Sequence, residues 1–217
     1  MPRTITVKGI GKVATPPDLV VLNMKLNTKD RNYEKAMALA ANKIEMLNSA
    51  LEEIGFEKQA IKTTNFEIRT DYEYRERANG KRVNVFTGYE LQHNLKLEFD
   101  FDSTLLSRVL AAVSSSSVNP EIKVAFTVKD PNAINEELLR QATENAKRKA
   151  EILCSASDQK LGNLLSISYN WADINVYSNT DYELEEACCR TYSPSIDIQP
   201  DDIKVSDSAS FVWEIED

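Results

Sequence analysis

Apolar residues alternate from the start of the chain. Ile5, Val7, Ile10 and Val13 open the pattern, with Gly9 and Gly11 inside it. Glycine within a strand marks a bulge or the close approach of another backbone. Pro16-Pro17-Asp18 turns the chain, and Leu19 to Leu26 follows as a second strand with Leu22, Met24 and Leu26 on one face. The period then changes. Met37, Ala40, Ala41, Ile44, Leu47, Leu51 and Ile54 recur at steps of three and four, which predicts an amphipathic helix. Asp30 or Asn32 caps its start, and Gly55 ends it in the left-handed conformation.

Alternation returns from Ile61 to Phe101. Phe66, Ile68, Tyr72 and Tyr74 belong to one long strand, and Val83, Val85, Tyr89, Leu91, Leu95, Leu97 and Phe99 to the next. Asn79-Gly80 between them is the residue pair a type I′ hairpin turn prefers. A hairpin this long bends, with Gly88 as the candidate, or projects from the body. Ser103 caps a second helix that faces inward through Leu105, Leu106, Val109, Leu110 and Val113. Ile122, Val124, Phe126 and Val128 make a strand. A third helix starts near Pro131 and runs to about Ser157, with Leu139, Ala142, Ala146, Ala150 and Leu153 on its seam. Leu164 to Tyr169 is a strand. Residues 173 to 202 form an irregular or edge segment, and Ile203 to Ile215 closes the chain with Val205, Ala209, Phe211, Trp213 and Ile215 on one face.

The order is β-β-α-β-β-α-β-α-β-β, which predicts an α+β fold of mainly antiparallel sheets with three helices. Residues 89–169 read as a ferredoxin-like β-α-β-α-β module. Residues 1–88 with 170–217 make the other, interlocked module, which carries the first helix.

Composition narrows the function. The chain has 217 residues, 42% hydrophobic and 28% charged, and a net charge of −8, so it can bury a core but lacks the basic surface that nucleic acid requires. No window approaches a membrane span, and no signal-peptide pattern follows the first Met. The expected location is cytoplasmic, or periplasmic or secreted if a leader has been removed.

Candidate chemistry is sparse. Gly9-Ile10-Gly11-Lys12-Val13-Ala14 has the letters of a dinucleotide fingerprint, but Pro16 and Pro17 follow where a helix must begin. His93, the single histidine, lies between Leu91 and Leu95 in an alternating strand without an assignable nucleophile or acid, which predicts a packed residue. Cys188 and Cys189 are adjacent, too close for a relaxed mutual disulfide. Glu185 and Glu186 beside them disfavour the thiolate, which leaves metal binding, an intermolecular disulfide or no role. The acidic segment, with Asp181, Glu183, Asp197, Asp201 and Asp202 among its carboxylates, lacks EF-hand spacing. Neither catalytic, cofactor nor metal residues are assigned. The hairpin is the remaining candidate: Tyr72, Tyr74, Asn79, Gly80, Val83 and Val85 are expected contacts of a homo-oligomer. The alternative is a monomeric module docking a protein partner on the acidic 173–202 face.

Taken in order, these segments resemble the SIMPL family, a domain of unknown function shared by bacterial periplasmic immunogenic proteins and an animal protein that associates with a Pelle-like kinase. The resemblance is carried by Gly9, Gly11, Pro17 and Asp18, by Gly88 and Tyr89, by Ala146, Lys149, Ala150, Leu161 and Gly162, and by the closing IKVSDSASFVWEIE strand. It implies one SIMPL-like α+β unit over the whole chain and a tendency to form oligomers. No catalytic residue follows from it. The 173–202 segment, with Cys188-Cys189, matches no feature of the family.

Overall fold

The computed structural model describes residues 3–76, 82–170, 174–184 and 198–216. Along the chain run β1 (Thr4–Thr15), β2 (Leu19–Asp30), α1 (Tyr33–Glu52), β3 (Lys62–Glu76), β4 (Arg82–Asp100), α2 (Ser103–Ser115), β5 (Glu121–Thr127), α3 (Pro131–Ala156), β6 (Lys160–Tyr169), β7 (Tyr182–Leu184) and β8 (Ile203–Glu216). The expected order holds, with β7 as a short addition inside the acidic segment. The fold is α+β, and every strand pairing with a recorded register is antiparallel.

The strands divide between two sheets, ordered β1-β8-β6 and β3-β4-β2-β5-β7. Two compact units follow. One holds residues 1–18, 127–179 and 200–217, and the other residues 19–126 and 180–199. The residues expected to form a single 89–169 module are therefore shared out at Thr127, because β4 pairs with β2 and β3 whereas β6 pairs with β8. Pairing partners are set by contacts distant in sequence, which the order of elements alone does not fix.

In the larger unit, α1 and α2 cover one face of the five-stranded sheet. Val20, Leu22, Met24 and Leu26 from β2 meet Leu95, Leu97 and Phe99 from β4 and Leu47, Leu106 and Leu110 from the helices. The opposite face is polar and laced with ion pairs, such as Lys25–Glu121 at 3.3 Å and Lys123–Glu183 at 2.6 Å. Asn32 caps α1 by accepting from the Lys35 N–H. Asp102, not Ser103, caps α2, accepting from the Leu105 N–H at 2.9 Å; a carboxylate one residue earlier has the reach that the Ncap position needs. Gly55 does take a left-handed φ of 105° just beyond α1.

In the smaller unit, α3 lies along β1. Its buried seam is Leu138, Ala142, Ala146, Ala150 and Cys154. That seam keeps the three expected alanines but replaces Leu139 and Leu153, and Leu153 is exposed. A step of four residues throughout turns the seam slowly around the helix, so the flanking leucines rotate out. Opposite the alanines sit Val7, Ala209, Phe211 and Trp213. Gly9 and Gly11 do not form a bulge: the β1–β8 register runs unbroken from Thr4 opposite Glu214 to Thr15 opposite Ile203. They serve close approach instead, since a β-carbon on Gly9 would lie 1.9 Å from the Ala142 carbonyl oxygen.

Candidate functional site

Sheet edges decide what such a protein can bind, because an unpaired edge strand is a template for another strand. Among the described residues the two sheets end at β1, β6, β3 and β7. The outer edge of β1 is closed by α3. Asn145 Oδ1 accepts the Ile10 N–H at 3.1 Å, Gln141 Oε1 accepts the Lys12 N–H at 3.2 Å, and Lys149 Nζ donates to the Lys8 carbonyl at 3.0 Å. The match is geometric. Four helical residues rise about 6 Å and two strand residues about 6.6 Å, so side chains one turn apart meet alternate backbone groups. The β7 edge is only three residues long. The β6 edge is irregular, with register shifts against β8 between Leu161 and Leu164 and again between Leu164 and Ser166.

The β3 edge differs from all three. It is 15 residues long and contains no proline. One register shift with β4 falls between Thr63 and Asn65. The other, between Asp71 and Tyr72, inserts its extra residue, Thr87, into β4, so β3 itself runs regularly from Asn65 to Glu76. This bulge falls beside Gly88. There the β4 backbone passes so near β2 that a β-carbon on Gly88 would lie 2.5 Å from the Asp30 carbonyl oxygen.

An apolar stripe lines one face of this edge strand. Phe66 is 41% exposed, Ile68 36%, Tyr72 52% and Tyr74 76%. A run of edge-to-face rings backs its outer half: Tyr72 on Phe86 with centroids 5.7 Å apart, Phe86 on Tyr89 at 5.3 Å, and Tyr89 on Tyr33 of α1 at 5.5 Å. Such contacts favour fixed ring geometry and tie the ribbon to the helix layer. The alternate positions carry charges of both signs, with Arg69 bound to Glu67 at 2.7 Å and Arg75 to Glu73 at 3.1 Å. Lys29 of β2 reaches Asp71 at 3.4 Å and Glu90 at 3.3 Å, and its pKa is raised, first by the hydrogen bond to Glu90.

Of the residues expected on this surface, Tyr72 and Tyr74 are exposed on the stripe. Val83 and Val85 are half-buried and stand opposite Arg75 and Glu73, on the other face. Asn79, Gly80, Cys188 and Cys189 lie outside the described residues. Phe66 and Ile68 complete the stripe. Their alternation with Tyr72 and Tyr74 was the available signal, but nothing in the pattern showed that β3, not β4, stands at the edge.

His93 is packed, as its setting predicts, and only 8% exposed. Its Nε2 lies 2.8 Å from Thr63 Oγ1, its ring meets Phe66 edge-on at 4.9 Å, and its Nδ1 makes no hydrogen bond. Burial lowers its pKa below the ordinary 6.5. The unfolded chain then binds a proton on acidification before the folded chain does. Stability is full above the unfolded pKa and is lost as pH falls through about 6.5 toward the folded value. With no second histidine, melting temperatures between about pH 7.5 and about pH 5.5, above the carboxylate range, isolate this group. The melting temperature is expected to fall across that window in the native chain and to stay level in His93→Gln. A parallel fall in both would refute the assignment.

Elsewhere, a groove of about 610 Å³ between α1 and α2 is lined by Asn42, Glu45, Met46, Ser49, Glu53 and Ser116 among others, without histidine or cysteine. Among the described residues no group of three or more His, Cys, Asp or Glu is placed to hold a metal ion, and no helix is long and apolar enough to cross a membrane.

The SIMPL model, described as a protein of unknown function (DUF541), matches residues 5–213. The 26 kDa periplasmic immunogenic protein of Brucella abortus (strain S19) is 24% identical over 167 residues, covering 77% of this chain and 66% of that protein. The uncharacterized protein YggE of Escherichia coli (strain K12) is 25% identical over 169 residues, covering 76% of this chain and 65% of its own length. The matched region thus spans just under two thirds of these relatives.

Proposed function

This chain belongs to the SIMPL family, a family of unknown function, and from that premise we propose that it works by assembling with copies of itself rather than by catalysing a reaction. The observation that carries the proposal is the contrast between its sheet edges. One edge is sealed by helix side chains, one is three residues long, and one is broken by register shifts. The fourth, β3, is long, regular and bordered by exposed Phe66, Ile68, Tyr72 and Tyr74. Edge strands of monomeric proteins are usually blunted by proline, bulges or an inward charge. From Asn65 to Glu76, β3 has neither a proline nor a bulge of its own, and its charges are of both signs; such a stretch suits strand addition, in which main-chain hydrogen bonds give affinity and alternate side chains give specificity.

Light scattering on the eluting peak of a sizing column, in reducing buffer, tests the proposal. The single chain has a mass of 24.5 kDa. A defined multiple of that mass is expected, and Tyr72→Glu with Tyr74→Glu is expected to lower it. A native chain that stays monomeric at high concentration would overturn the proposal.

A further inference from the structure

We propose that β3 pairs antiparallel with β3 of a second copy, about a two-fold axis that passes through Asp71. This inference rests on the assembly proposed above and deepens it by naming the partner strand and its register.

An isologous contact must be complementary to itself. In an antiparallel pair, residues directly opposite share one face of the sheet, with β-carbons about 4.5–5.5 Å apart. About a two-fold axis, then, odd positions of β3 meet odd positions and even meet even. The odd row carries Glu67, Arg69, Asp71, Glu73 and Arg75. With the axis at Asp71, Glu67 meets Arg75 and Arg69 meets Glu73, and symmetry repeats each contact. On the even row, Ile68 meets Tyr74 and Thr70 meets Tyr72, so these residues of each copy cover those of the other, while Phe66 stands against Glu76.

The single like-charge contact is Asp71 with its own counterpart. Each Asp71 is already bound to Lys29 at 3.4 Å, which offsets the repulsion. Neighbouring registers are worse. An axis at Thr70 sets Glu67 against Glu73. An axis at Tyr72 sets Arg69 against Arg75 and Asp71 against Glu73. Like charges directly opposite are unfavourable in a sheet, so the order of charges favours the axis at Asp71 over its two neighbours. An unrelated partner has no reason to match this self-complementary row, which commits the edge to a second copy. The regular stretch from Asn65 to Glu76 spans every contact named.

The test uses Arg69→Glu and Glu73→Arg, separately and mixed in equal amounts, with mass read by native mass spectrometry and light scattering. Each variant alone puts like charges at both 69–73 contacts, and association is expected to weaken about ten-fold or more. In the mixture, a glutamate at 69 in one copy meets an arginine at 73 in the other, while Glu73 meets Arg69. Association is expected to return. Mixing does not repair the within-strand pairs Glu67–Arg69 and Glu73–Arg75, so recovery isolates the contact between copies. If both variants assemble like the native chain, or if mixing restores nothing, this register falls while assembly by another surface stands. If the native chain is a monomer, the assembly itself falls.

Discussion

Alanine at both Gly9 and Gly11 is expected to destabilise the three-stranded unit strongly. The added β-carbons would lie 1.9 Å from the Ala142 carbonyl oxygen and 2.0 Å from the Leu138 carbonyl oxygen. Ordinary contact begins well above 3 Å, and both obstacles are helix backbone, which no side-chain rotation relieves. The whole of α3 must lift from β1. The shift separates Ala146 and Ala150 from Val7 and Phe211 and breaks the bonds from Gln141, Asn145 and Lys149. Overpacking costs roughly 1–3 kcal/mol and each lost hydrogen bond about 0.5–1.5 kcal/mol. A total of about 4 kcal/mol is a large share of the roughly 5–15 kcal/mol that a domain has. Urea unfolding followed by tryptophan fluorescence reads it, because Trp213 is buried against this interface. An unchanged midpoint would show that α3 does not sit where the glycines allow.

The second large effect lies in the other unit. Phe126 of β5 is fully buried and meets Phe101 edge-on with centroids 5.7 Å apart. It closes the core formed by β2, β4, α1 and α2. Phe126→Ala removes the ring and leaves a cavity that a sheet packed under two helices cannot collapse around. Such truncations cost about 3–5 kcal/mol. Far-ultraviolet circular dichroism is the probe, since the buried Trp213 belongs to the other unit. A loss below about 1 kcal/mol would mean that Phe126 is not the centre of its core. Comparing the two variants also shows whether the units unfold together.

Local signals in the sequence were legible, and long-range ones were not. Period and capping chemistry located all three helices, and alternation placed Leu22, Met24, Leu95 and Leu97 on buried faces. The cap of α2 moved by one residue because Asp102 and Ser103 are both competent caps and only geometry chooses between them. Gly9 and Gly11 announced that something unusual happens on β1. What it is depends on Ala142 and Leu138, far along the chain, so a bulge and a close approach looked alike. The division into modules missed for the same reason: nothing local says that β8 inserts between β1 and β6. On the candidate surface, Tyr72 and Tyr74 stood out as aromatics among charges. The significance of Arg69 and Glu73 did not, because it appears only once β3 is known to end its sheet.

The ladder of Gln141, Asn145 and Lys149 along β1 also bears on how far association can proceed. A sheet with two open sides is a monomer for polymerisation, since each copy added presents a fresh side to the next. Here the sealed β1 edge denies that role to the smaller sheet. In the larger sheet a two-fold contact consumes β3 on both copies at once, and the three-residue β7 offers little at the far side. Under the proposed pairing, growth along the strands' hydrogen-bonding direction ends after one step. In that assembly the helix side chains are a chain terminator, the difference between a countable complex and a fibre.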